Sequence, residues 1–251
     1  MYLEMDMGNT RTKWRIRDSC NVLERGFFDT GASPKILEPV LGPYVKKLHG
    51  IWIANVASKE LECTIKNWAQ IFLHRQPIFA RSRAVAAGVK NAYSEPDRLG
   101  VDRWLCMLAA YQLTNRASIV LSLGTAATID MIDNNGKHLG GFIGPGLALM
   151  ARALTGGTNR IEFNPGDIIL STNPGQSTSS GICAGCTSML CGLVDNAVKQ
   201  LCAVIGDEPF ELIFTGGDAI RLMPFYPSAR LINELVLDGL VYAMQDEKLL
   251  E

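Results

Sequence analysis

The 251-residue sequence has little histidine, almost no net charge and no long apolar run, and each shortage removes a class of function. Three histidines, His49, His74 and His138, stand at no ligand spacing, so each is read as structural or exposed rather than as a metal ligand. Lysine and arginine number 24 against 25 aspartates and glutamates, a formal net charge of -1. That balance makes no field strong enough to gather nucleic acid or an anionic membrane, so small molecules are the expected partners. No stretch reaches the roughly 18 uninterrupted apolar residues of a spanning helix. Glu4 and Asp6 interrupt the region where a basic stretch and cleavage site would mark a leader, so a cytoplasmic location is expected.

Paired cysteine is lacking too. The seven cysteines, Cys20, Cys63, Cys106, Cys183, Cys186, Cys191 and Cys202, form an odd, irregularly spaced set that reads as reduced thiols. Cys183-Ala-Gly-Cys186 has the spacing of half a zinc or redox site, but no second pair answers it. Small side chains packing on a helix are the expected role, and no zinc is expected.

What is present is an ordinary globular composition, 47% hydrophobic and 20% charged, enough for one large or two modest cores. Leu3, Met5 and Met7 alternate up to Gly8-Asn9, and Thr12, Trp14 and Ile16 resume the two-residue period, which predicts a strand, tight turn and strand. The pattern returns as Ile119-Val120-Leu121, a turn at Gly124-Thr125, and Ala127 to Ile132. Asp6-Met7-Gly8-Asn9-Thr10 and Ser122-Leu123-Gly124-Thr125-Ala126 align with a short polar residue two positions before the turn glycine. The chain therefore reads as two similar halves, 1–115 and 116–251. Between them Trp104, Met107, Leu108 and Tyr111 recur at helical spacing from Arg103 to Thr114. Pro34 to Pro43 predicts a loop and short helix, Ile51 to Val56 a buried strand, and Glu60 to Leu73 a helix with Leu61, Ile65, Trp68 and Phe72 inward. Gly140 to Gly146 predicts a glycine-rich strand and turn, followed by a helix from about Leu147 to Leu154. Strands mixed with helices give an α/β layered fold.

Phosphoryl transfer needs amides or cations around phosphates, a carboxylate for the metal, and a base for the attacking hydroxyl. Asp6 ends a strand, the Gly8-Asn9-Thr10 turn can aim amides at phosphate oxygens, and Lys13 stands on the returning strand. Such a hairpin alone also reads as an ordinary Asx-type turn. Gly124-Thr125-Ala126 supplies a second turn, and Phe214-Thr215-Gly216-Gly217-Asp218-Ala219 opens a third from an apolar strand.

With three turns in that order the sequence resembles the type III pantothenate kinases, within the actin, Hsp70 and sugar-kinase superfamily, from Asp6 to about Gly239. Its most specific segments are Gly88-Val89-Lys90-Asn91-Ala92-Tyr93 and Leu99-Gly100-Val101-Asp102-Arg103-Trp104, with Gly140 to Gly146 in support. The resemblance implies two similar domains of the actin-like, ribonuclease H-like architecture with an ATP cleft between them. It implies ATP-dependent phosphorylation of pantothenate, the first step of coenzyme A biosynthesis. It makes Asp102 the general base, a residue whose plain reading is a helix cap. Tyr93, Gly100, Val101, Asp102 and Arg103 become the pantothenate site, a guanidinium suiting a carboxylate. Asp6, Gly8, Asn9, Thr10, Lys13, Gly124, Thr125, Ala126, Gly216 and Gly217 become the ATP site, with magnesium at Asp6. Thr178 matches a threonine that reaches the partner subunit's pocket, which implies a homodimer; Ile182, Met189, Leu190 and Leu193 follow it at helical spacing. One position departs: Ser122 stands where the family has an aspartate for a monovalent cation. A hydroxyl brings no charge, so potassium or ammonium binding is expected to weaken unless Asp130 or a water compensates. A catalytically weak or regulatory binding protein of the same fold is the alternative, and exopolyphosphatase-like hydrolysis a third reading. Retained Asp6, Lys13 and Asp102 speak against the former, and the Tyr93 to Arg103 segment against the latter.

Overall fold

Alternation along the first eighteen residues dictates which face of the first sheet is oily. Leu3, Met5, Met7, Trp14 and Ile16 are all buried on one face, and Ile51 and Ile53 of the neighbouring strand join them. The computed structural model describes residues 1–19, 21–156 and 169–248, so Cys20 lies outside the described residues. The chain divides into two compact units that are not successive stretches of sequence. The first comprises Met1–Ala87, Tyr93–Ala109 and the chain from Val236 onward; the second comprises Gly88–Ala92 and Ala110–Leu235.

In the first unit β1 (Tyr2–Met7), β2 (Arg11–Asp18), β3 (Asn21–Asp29), β4 (Gly50–Asn55) and β5 (Ile78–Phe79) form a sheet in the order β3-β2-β1-β4-β5. The β1/β2 and β2/β3 pairs are antiparallel, and β1/β4 and β4/β5 are parallel. Short 3-10 turns flank α1 (Glu38–Leu41), extending the expected Pro34 to Pro43 helix to Lys47. The helix α2 (Lys59–Trp68) starts where the Ser58 hydroxyl accepts from the Leu61 amide, satisfying one of the orphan donors of a helix start. The short strand β6 (Val85–Ala86) precedes α3 (Val101–Thr114), which belongs to this unit as far as Ala109.

In the second unit β7 (Val89–Lys90) is followed by β8 (Ser118–Leu123), β9 (Ala126–Ile132), β10 (His138–Pro145), β11 (Glu211–Thr215) and β12 (Arg230–Leu231). The last five form a sheet in the order β10-β9-β8-β11-β12, with two antiparallel pairs and then two parallel ones. Strand order and direction thus repeat those of the first sheet, which is the internal duplication the two glycine turns announce. Against it lie α4 (Leu147–Gly156) and α5 (Thr178–Ile205). By length and composition α5 could cross a membrane. Its Ile182, Cys183, Cys186, Leu190, Val194, Ala197 and Leu201 are instead buried in this unit's core. Each such aliphatic side chain contributes about 1.5–3 kcal/mol over exposure. Cys183 and Cys186 are core packing of the kind their spacing on a helix predicts.

The chain then returns to the first unit through α6 (Leu235–Lys248). Arg15 Nη1 donates to Asp238 Oδ1 at 2.7 Å, and the Gly239 Cα lies against the Leu105 backbone so closely that no side chain would fit. A single cut near residue 115 would assign α6 to the second half; the Arg15 and Leu105 contacts group it with the first. Glu4, fully buried, accepts from Arg15 Nε at 2.6 Å and Arg17 Nε at 2.7 Å. Removing one member of such a buried ionic network costs about 3–5 kcal/mol, because an uncompensated charge is left behind.

Candidate active site

Register places Asp6 and Lys13 directly opposite each other across β1 and β2. The connecting Gly8-Asn9-Thr10 turn is closed by the Gly8 amide donating to the Arg11 carbonyl at 3.2 Å, and Asn9 and Thr10 are exposed. Thr30, just past β3, braces this turn from behind. Its hydroxyl donates to the Gly8 carbonyl at 2.7 Å and meets the Thr12 hydroxyl at 3.1 Å, while its amide donates to the Thr10 carbonyl at 3.0 Å. Burial pushes the Asp6 carboxyl up to about 6; Lys13 opposes that rise, and the negative charge of Asp102 adds to it. Asp6, Lys13 and Asp102 therefore share one electrostatic neighbourhood within the first unit.

Helix α3 begins at Val101, so Asp102 lies in its first turn; the Gly100 carbonyl accepts the Trp104 amide at 3.0 Å. A carboxylate in that turn is favoured by the helix dipole. A Cβ at Gly100 would sit 2.7 Å from Asp102 Oδ1, so glycine there leaves the carboxylate its space. The Ser82 hydroxyl donates to the Leu99 carbonyl at 2.8 Å and fixes the approach to the helix. Val101 is buried. Arg103 is only 6% exposed, unlike an ordinary solvated helix arginine. Its Nη1 donates to the Tyr93 hydroxyl at 3.0 Å, and its guanidinium lies 5.9 Å from the Tyr93 ring centroid. The first unit thus brings Asp102, Arg103 and Tyr93 together around one helix start.

In the second unit three glycine segments converge. The Gly124 amide donates to the Ala126 carbonyl at 2.9 Å, and the Gly146 amide to the Thr125 carbonyl at 2.9 Å. Gly146 lies against the Gly124 carbonyl too closely for any side chain. Gly216, at φ 96°, is pressed in the same way on the Leu123 backbone, and the Asp218 amide donates to the Leu123 carbonyl at 3.1 Å. Gly217 faces open space. Thr125 and Ala126 are exposed at this junction.

Ser122 pairs with Thr128 on β9 and with Thr215 on β11, so three hydroxyls form a row across the sheet. Asp130 stands opposite Val120, two positions along, and its Oδ1 lies 3.0 Å from His138 Nε2 in a fully buried contact. The carboxylate named as a replacement for the missing one is thus already engaged by His138. Thr178 is exposed at the first position of α5, where Ser177 and Ser180 form a reciprocal capping box. Two features escape the sequence reading. Thr30 gives no local signal, because its partners lie some twenty residues upstream. The Asp130–His138 pair is visible only once β9 and β10 are in register.

The sequence pattern of the family described as type III pantothenate kinase matches residues 2–200. A type III pantothenate kinase from Cellvibrio japonicus is 34% identical over 241 residues, covering 96% of this chain and 95% of that protein. Among solved structures, one named as a Baf family transcriptional activator from Campylobacter jejuni superposes with a TM-score of 0.65 at 21% identity, covering 98% of both chains. One named as a 2-dehydro-3-deoxygalactonokinase from Sinorhizobium meliloti gives 0.55 at 16% identity, covering 98% of this chain and 99% of that one. These two are similar in fold, which is the actin-like sugar-kinase architecture.

Proposed function

We infer the reaction from one premise: the chain belongs to the type III pantothenate kinase family. It is a pantothenate kinase, an ATP-dependent phosphotransferase acting in coenzyme A biosynthesis. The observation that carries the residue assignment is the helix start at Val101, where Asp102, the Tyr93-bound Arg103 and the Asp6/Lys13 pair belong to one unit.

Asp102 is assigned as general base. As the pantothenate hydroxyl oxygen bonds to the γ-phosphorus, its proton passes to the Asp102 carboxylate, and the bond from phosphorus to the bridging oxygen breaks to leave ADP. Arg103 is assigned to the substrate carboxylate, with the Tyr93 hydroxyl holding the guanidinium in place and the Gly100-Val101 backbone lining the same turn. Lys13 and the Gly8-Asn9-Thr10 amides are assigned to phosphate oxygens, and Gly124, Thr125, Ala126, Gly216 and Gly217 to the nucleotide.

Magnesium fits this donor set. Asp6 offers a hard oxygen ligand, and its raised proton affinity is relieved when a cation replaces the proton. Among the described residues no group of three His, Cys, Asp or Glu could hold a metal alone. Asp6 would therefore hold it jointly with phosphate oxygens and water, and when bound it neutralises charge on the transferring phosphoryl group.

A homodimer is the proposed assembly. Besides Thr178, it is supported by the outward face of α5, where Gly181, Gly185 and Gly192 have open space at their Cα atoms and Met189 is 56% exposed. Such a face permits close helix contact. A cytoplasmic location suits the proposed role.

The test is pantothenate-dependent ADP release by purified protein with ATP and magnesium. Asp102→Asn should stay folded and lose about 10² to 10⁴ in kcat. Wild-type turnover in that variant would remove Asp102 from its role, and ADP release indifferent to pantothenate would sink the substrate assignment.

A further inference from the structure

His138 and Asp130 are buried, charged or titratable, and unused by the phosphoryl-transfer chemistry. His138 is fully buried and Asp130 is 2% exposed. His138 Nε2 lies 3.0 Å from Asp130 Oδ1, and its other ring nitrogen, Nδ1, lies 3.4 Å from the Ala92 backbone nitrogen. A backbone N–H can only donate, so Nδ1 is the acceptor and carries no hydrogen. The ring hydrogen is then on Nε2 and is donated to Asp130. A partner at each nitrogen sets both tautomer and ring orientation.

Ala92 immediately precedes Tyr93. The residues before it are fastened to the same β9–β10 connection. The Lys90 amide donates to the Gly136 carbonyl at 2.8 Å, and Gly88 and Gly136, both at positive φ, touch backbone to backbone. That connection is itself rigid, because Asp133 Oδ1 accepts from the Asn135 amide at 2.8 Å and the Lys137 amide at 2.9 Å. His138 fastens Ala92, the residue next to Tyr93.

We propose that His138, oriented by Asp130, is a positioning residue for the substrate segment: its Nδ1 anchors Ala92 and thereby holds Tyr93, and the Arg103 that Tyr93 carries, ready for the substrate carboxylate. The proposal rests on the assignment of Tyr93 and Arg103 to pantothenate. Losing the anchor leaves the Ala92 amide without its acceptor and lets Tyr93 sample other conformers. Substrate affinity then falls, while the nucleotide turns, built by other contacts, are untouched.

Two glutamine-family variants separate the two ring nitrogens. His138→Gln keeps a donor toward Asp130 but removes the acceptor for Ala92, and should raise KM for pantothenate about tenfold, with kcat and the KM for ATP within about twofold. His138→Asn places an oxygen near the Nδ1 position and should bring KM back to within about threefold of wild type. Equal losses in both variants, a parallel rise in both KM values, or no change in either would overturn the proposal. Independently of any variant, ¹⁵N spectra of wild-type histidines should show His138 with Nδ1 bare and Nε2 protonated, and the Ala92 amide should exchange slowly. A protonated Nδ1 or fast Ala92 exchange overturns it even if the variants do not fold. A wild type that turns over no pantothenate defeats the assigned reaction instead; the spectra and the exchange rate still decide whether the anchor exists.

Discussion

Arg103 Nη1 donates to the Tyr93 hydroxyl at 3.0 Å, and that bond keeps a nearly buried guanidinium beside the Asp102 helix turn. Deleting the hydroxyl leaves the cation one acceptor short. Tyr93→Phe should raise KM for pantothenate about tenfold and leave kcat within about twofold, since losing one hydrogen bond to a charged group is worth about 1.5–3 kcal/mol at most. Arg103→Lys should do more harm, because an ammonium lacks the fork that meets a carboxylate with two bonds. Steady-state titration of pantothenate at saturating ATP reads both; an unchanged KM in Tyr93→Phe would detach Tyr93 from the substrate.

Asp6 ties stability to pH in a direction set by its raised carboxyl. Its folded value is about 6 against an ordinary 3.8, so the native state holds this proton after the unfolded chain has released it. Well below pH 3.8 the carboxyl is protonated in both states and imposes no penalty; between about 3.8 and 6 native stability falls as pH rises; well above 6 the penalty is constant. Asp6→Asn, neutral throughout, should be more stable than wild type at pH 8 by on the order of 1–2 kcal/mol, discounted for the partial exposure of Asp6, and equal at pH 3.5. Turnover should fall in the same variant. Urea denaturation at the two pH values is the measurement, and a destabilised variant at pH 8 would reverse the assigned sign.

The hairpins were legible because period-two alternation and a turn glycine are local signals. The Leu3, Met5, Met7 face and the Ile119-Val120-Leu121 strand fall where the pattern puts them. The opposite face of β1 and β2 was not legible as buried, since Glu4 and Arg15 look like solvent positions until each neutralises the other. Strands β5 and β12, two residues each, carry too little pattern to announce themselves. The return of α6 depends on Asp238 meeting Arg15, 223 residues away, which no window reveals. Of the site, the glycine turns and Asp102 were readable as motifs, whereas Thr30 and His138 act through partners that only the folded sheets bring near.

Two adjacent glycines with opposite surroundings separate fold from function at the third turn. Gly216 has φ 96° and no room for a side chain against Leu123, while Gly217 faces open space. Gly216→Ala should cost about 2 kcal/mol or more in urea denaturation, combining backbone strain with a steric clash. Gly217→Ala should stay within about 0.5 kcal/mol of wild type and raise the KM for ATP. Equal stability losses at both positions would contradict the crowding at Gly216.

The row Thr215, Ser122 and Thr128 argues for a kinase that needs little monovalent cation. Hydroxyls on three neighbouring strands offer oxygen ligands but no charge, and Asp130, two positions along β9 from Thr128, is held by His138 at 3.0 Å. Losing one carboxylate from a cation's shell lowers affinity tenfold for every 1.4 kcal/mol it contributed, so millimolar potassium should leave such a site largely empty. Activity titrated with potassium chloride against a sodium chloride control should rise less than about twofold. Ser122→Asp should introduce saturable activation, because the new carboxylate would join the two threonine hydroxyls rather than displace Asp130 from its histidine. Steep potassium activation of the wild type at low millimolar concentration, unsharpened in Ser122→Asp, would mean that the hydroxyl row binds the cation without a charge.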